Sequence, residues 1–149
     1  MNKKRLDEII DESIKQVITE KRSLLAEMAR IGFIGKKGEL EVYIRTNDPG
    51  NIPHFHVRDT STMGTEFETC VRIQTNAYFL YGRYKDTLNS AERKALAEFM
   101  EAPDVDGHFS SNYSATIYEW NKNNSNVKIQ IQHDENGNEI IPNYRTISV

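Results

Sequence analysis

"GELEVYIRTNDPGNIPHFHVRD", residues 38–59, decides how this chain is read. Leu40, Val42 and Ile44 alternate with Glu39, Glu41, Tyr43 and Arg45, the period-two pattern of a strand with one buried side. "NDPGN" then supplies the chemistry of a reversal, with Asp before Pro and Gly after it. The chain returns as "HFHVRD", where His54, His56 and Arg58 fall on one side and Phe55 and Val57 on the other. Two such runs joined by a turn predict an antiparallel pair whose apolar side faces the core.

Working outward, "GFIGKKG" adds a short strand and a Gly-Lys-Lys-Gly turn ahead of this pair. Behind it, "EFETCVRIQT" predicts a fourth strand, with Phe67, Val71 and Ile73 on one side and Glu66, Glu68, Cys70 and Arg72 on the other. "NAYFLYGRYKDTL" reads as a further strand or an ordered loop. Asn89 before "SAERKALAEFM", with Glu92 three residues on, is a capping-box signal for a helix that buries Leu96, Phe99 and Met100 and ends by Pro103. "YSATIYEWNKNN" predicts a second helix with Ile117 and Trp120 inward. The tail from 125 to 149 forms a hairpin around "ENGN" or stays partly unpaired.

At the other end, Ile10, Ile14, Val17, Leu24, Met28 and Ile31 recur at helical spacing between Leu6 and Ile31, with acidic residues first and Gly32 as the stop. This predicts an N-terminal amphipathic helix over 1–32, a core over 33–124 and a C-terminal hairpin or tail over 125–149, all within one domain spanning 1–149. The expected fold is α+β: an antiparallel sheet of about four strands packed by the N-terminal helix and the two later ones. The helical stripe over 6–31 also suits a homodimer, although Lys21 interrupts it.

The chain has 149 residues, 38% of them hydrophobic and 28% charged, enough for one real core. A net charge of −3 argues against a domain built mainly to grip phosphate backbones. No apolar run is long enough for export or membrane insertion, so a cytoplasmic protein with no membrane partner is expected. Cys70 is the sole cysteine, which excludes a disulfide framework and a cysteine zinc cluster and leaves it as a small sheet residue.

The outward sheet face gathers the chemistry. Strand alternation places His54, His56, Arg58, Glu41, Tyr43, Arg45 and Arg72 together as a candidate binding surface. His54, His56 and Glu68 are the candidate catalytic residues, because an imidazole beside a carboxylate can move protons near neutral pH. His54 and His56, two positions apart on a strand, are also candidate ligands for a divalent metal if Glu68, Glu41 or His108 supplies a third donor. The competing structural reading is that both imidazoles hydrogen-bond the turn and fix "DPGNIP". His108 and His133 read as solvated surface histidines. Tyr78, Tyr81 and Tyr84 with Lys36 and Lys37 offer only a weak nucleic-acid surface, and no phosphate-binding loop or nucleophile elbow is present.

"IPHFHV", residues 52–57, resembles the hallmark of a family of small bacterial proteins catalogued as domain of unknown function four-one-six-zero. The likeness extends over roughly 40–123 through "VYIRTNDPGNIPHFHV", "CVRI", "LNSAERKALAEFM" and "YEWNKNN". The resemblance implies that His54, Phe55 and His56 form a characteristic surface, and brings with it the toxin-antitoxin role suggested for some members; a mobile-element component is the other setting expected for such a protein. The expected function is accordingly an interaction protein that binds a macromolecular, chiefly protein, partner. The alternative is a small metal-dependent phosphodiesterase or nuclease with His54 and His56 as ligands; no other cofactor is expected.

Overall fold

In the computed structural model, the described residues are 28–35, 38–46, 52–60, 67–124 and 126–149. Four strands form one antiparallel sheet in sequential order: β1 (Met28–Ile34), β2 (Leu40–Arg45), β3 (His54–Asp59) and β4 (Glu68–Arg72). The β1–β2 turn opens and closes on Gly35 and Gly38, with φ of 96° and 66°, backbone that a β-carbon disfavours. Register is set as the alternation requires. Val42 faces Val57 across β2 and β3, and Phe55 faces Val71 across β3 and β4, so one side of the sheet is continuous apolar surface.

That surface is closed by two helices that both follow the sheet. α1 (Ser90–Glu101) starts at Asn89, whose side chain accepts from the Glu92 amide while the Glu92 carboxylate accepts from the Asn89 amide. α2 (Asn112–Asn123) is capped by Ser111, which accepts from the Ser114 amide. Leu96, Met100, Tyr113, Ile117 and Trp120 join Val42, Ile44, Phe55, Val57, Val71 and Ile73 in a single buried cluster. The tail is fastened to it. Tyr144 packs edge-on against Phe55 and donates its hydroxyl hydrogen to the Ile73 carbonyl, and Ser148 bridges Ala77 in parallel fashion. Around Asp134–Asn138 the chain folds back, with His133 bridged to Glu139.

The expected packing of the sheet by an N-terminal helix needs correction: the helices that cover it come after the sheet, and residues 28–31, assigned to the end of the helical stripe, belong to β1. Met28 and Ile31 satisfy a helical spacing, but pairing with β2 claims this stretch through Met28↔Arg45 and Arg30↔Tyr43. Gly32 is a strand residue rather than a helix stop. A β-carbon there would lie 2.8 Å from the Phe99 ring, so its bareness lets α1 approach β1 where the register shifts. The rest of the expected helix, and with it the proposed dimer seam, lies outside the described residues. No helix among the described residues is long and apolar enough to cross a membrane.

Candidate functional site

The second side of the sheet carries the polar set that strand alternation placed there. Tyr43, His56 and Cys70 are consecutive cross-strand partners, as are Glu41, Arg58 and Glu68, and His54 pairs with Arg72. This side is covered rather than open. The segment 77–84 crosses it without regular structure, held by bridges Val71↔Tyr78 and Tyr81↔Tyr84. It lays Phe79 and Tyr81 against the His54 ring, at 4.8 and 5.5 Å between centroids, and Tyr84 edge-on against His56 at 5.0 Å. Tyr43 stacks on the other face of His56 at 4.9 Å, and Trp120 of α2 approaches His54 to 5.5 Å.

His54, His56 and Cys70 consequently have no exposed surface, and Glu41 and Tyr43 have almost none. Of the expected contact surface, these side chains lie inside the protein, while Arg45, Arg58 and Arg72 are half-buried at its rim. The physical reason is that aromatic rings can cover imidazole, thiol and phenol groups, provided that the polar atoms find partners.

Most do. His54 Nδ1 lies 2.7 Å from the Ile52 carbonyl oxygen, and Nε2 lies 3.2 Å from the Tyr81 hydroxyl. A carbonyl only accepts, so Nδ1 carries the proton; in the neutral ring Nε2 then presents its lone pair inward. The first bond is the turn-fixing contact that a purely structural histidine would make. His56 Nδ1 is 3.3 Å from Cys70 Sγ and also 3.3 Å from Glu68 Oε1. The Glu68 contact has ion-pair distance without hydrogen-bond alignment, and Oε1 is a buried oxygen that makes no hydrogen bond. Burial pushes the Glu68 carboxyl up to about 7, with the Arg83 guanidinium, 3.7 Å from Oε2, pulling it back down.

Glu41 takes a different part. Arg30 Nε reaches Oε2 at 2.6 Å and Arg58 Nε reaches Oε1 at 2.7 Å, so both of its oxygens are engaged by guanidiniums from the flanking strands. It is therefore a partner of arginines and not the third donor to the histidines. His108 sits in an exposed loop, and His133 is exposed at its hairpin.

The donor that does complete the histidine pair is Cys70. Among the described residues, His54, His56 and Cys70 form the group of metal-ligand side chains whose donor atoms converge, all within 4.8 Å of one another. The sequence did place Cys70 on the same side as both histidines. A single cysteine carries no spacing motif, however, and the β3–β4 register needed to make it the direct neighbour of His56 becomes available only from the fold. The aromatic cover was harder to find, because 77–84 follows neither helical nor strand periodicity.

Two cavities lie elsewhere. One, of about 410 Å³, is lined by Gln74, Tyr113, Gln132 and Pro142, and the other, of about 300 Å³, by Ile34, Leu40, Asn89 and Ala95. Neither touches the histidines. Comparison of the chain with family models, with curated proteins and with solved structures finds no match in any of the three.

Proposed function

We propose that this is a binding protein that engages an acidic segment of a partner protein through an arginine-rich face. The observation that carries the reading is the arrangement of five guanidiniums over aromatic rings: Arg30 on Phe33, Arg45 on Tyr84, Arg58 on Tyr43, Arg72 on Phe79 and Arg83 on Tyr84, at 4.5 to 5.8 Å from the centroids. A guanidinium held over a ring keeps N–H donors available to carboxylates. Among the described residues, Glu41 and Glu68 are ion-paired to these arginines and Asp86 accepts from the Glu68 amide, fewer carboxylates than the five guanidiniums they face.

Acidic protein is favoured over nucleic acid because Tyr43 and Tyr84 lie buried beneath the arginines, so that Phe33 under Arg30 is the one well-exposed ring among those the arginines cover. A metal-dependent hydrolase using His54 and His56 has the weaker support of the two readings, since substrate has no path to side chains with no exposed surface. The resemblance to domain of unknown function four-one-six-zero adds a toxin-antitoxin setting to the same reading, in which this chain would be the partner-binding component.

Fluorescence anisotropy with a labelled oligo-glutamate peptide and with a single-stranded oligonucleotide of equal length tests the proposal. The peptide should bind at low salt, weaken as salt rises, and lose about tenfold in affinity when Arg30 and Arg83, whose side chains are 46% and 55% exposed, are changed together in the Arg30→Gln/Arg83→Gln variant. Tighter binding of the oligonucleotide, or peptide binding that ignores both salt and the substitutions, overturns it.

A further inference from the structure

We infer that His54, His56 and Cys70, with Glu68 as the fourth donor, form a closed site for one zinc ion, which ties β3 to β4 beneath the aromatic cover. The inference is independent of the arginine-face reading and can fail without it.

Three features support the inference. First, the donor set is mixed imidazole, thiol and carboxylate, the combination that zinc takes in a tetrahedral shell. In such a shell a zinc-bound sulfur and nitrogen are about 3.5 Å apart. The Cys70 Sγ to His56 Nδ1 separation is 3.3 Å, close to that distance with no ion between them. The donor atoms of His54, His56 and Cys70 all lie within 4.8 Å of one another and would close by at most roughly 1.4 Å, a change that side-chain rotation can supply.

Second, His54 is already set as a ligand. Its Nδ1–H is committed to the Ile52 carbonyl at 2.7 Å, which is the outer contact that orients a metal-binding imidazole and leaves Nε2 for the ion. Tyr81, whose hydroxyl lies 3.2 Å from Nε2, would exchange that bond for a place over the occupied site.

Third, Glu68 Oε1 is a buried carboxylate oxygen without a hydrogen bond, 3.3 Å from His56 Nδ1, and Glu68 stands two positions before Cys70 on the same side of β4. A buried oxygen left in that state is costly unless something positive occupies the space beside it. An ion bound by Cys70 and the two histidines would do so. Because His54, His56 and Cys70 have no exposed surface, all positions on the ion would be filled by protein, as in structural rather than catalytic zinc sites.

The test uses the full chain purified without a histidine tag and stripped with EDTA. Calorimetric titration with zinc chloride should show one equivalent bound, and saturating zinc should raise the melting temperature by on the order of 10 °C. Cobalt(II) should give tetrahedral ligand-field bands together with thiolate-to-cobalt charge transfer, a band that requires Cys70 because the chain has no other cysteine. Cys70→Ser should abolish that band and weaken zinc at least tenfold, whereas the His108→Ala/His133→Ala variant, altered only at exposed histidines, should bind as the parent does. A folded parent protein that shows neither the thermal shift nor the charge-transfer band overturns the inference, whether or not Cys70→Ser folds. Loss of binding in the His108→Ala/His133→Ala variant overturns it as well.

Discussion

Glu41 illustrates how a single buried carboxylate can be kept at low cost. Its two oxygens are engaged by Arg30 and Arg58, whose side chains are 46% and 27% exposed and so remain partly hydrated while neutralising it. Either arginine alone can hold the charge. Arg30→Ala should therefore cost less than about 1 kcal/mol, and Arg58→Ala only slightly more. The double variant strands an unpaired charge in the sheet and should cost about 3 kcal/mol or more, well beyond the sum of the singles. Urea denaturation of the four proteins reads this directly; simple additivity would show that Glu41 is not sealed by the pair.

At the scale of elements, the capping box at α1 is the clearest local signal in the chain. Asn89→Ala removes the acceptor for the Glu92 amide and should destabilise the protein by about 1 kcal/mol. Gly32 poses the opposite problem, since a methyl group there would press on the Phe99 ring. Gly32→Ala should cost about 1–3 kcal/mol by overpacking, and pairing it with Phe99→Leu should recover part of the loss in thermal melts. These two positions also show what sequence could and could not convey. Strand alternation put His54, His56, Cys70 and Glu68 on one side of the sheet because period two survives folding unchanged. Helical spacing misassigned residues 28–31 because Met28 and Ile31 stand three apart, as on one side of a helix, and only pairing with β2 decides for the strand. Burial of the histidine side was illegible for another reason. A polar strand face normally points to water, and what covers this one is an irregular segment with no pattern of its own.

For the molecule as a whole, the fastening of the tail sets an alkaline limit. Burial holds the Tyr144 phenol well above its ordinary range, and pushes Tyr113 up to about 12 despite the opposing hydrogen bond from Gln74. In both cases the folded state resists ionisation and the unfolded state does not. Their contribution is thus intact below the unfolded value near pH 10 and declines as pH rises toward the folded values. Each pH unit in that window should remove about 1.4 kcal/mol per tyrosine kept neutral. Unfolding followed by circular dichroism between pH 9 and 12 should become steep above about pH 10, and Tyr144→Phe should make it shallower.

The position of Trp120 has an optical consequence. It is the sole indole in the chain and stands 5.5 Å from the His54 ring, deep below the surface. Excited indole loses energy readily to a charged imidazole nearby, so its emission reports the state of that one ring without any added dye. Steady emission while the neighbouring donors are titrated with ions or protons would mean that nothing reaches them; a change in brightness would time their opening from within.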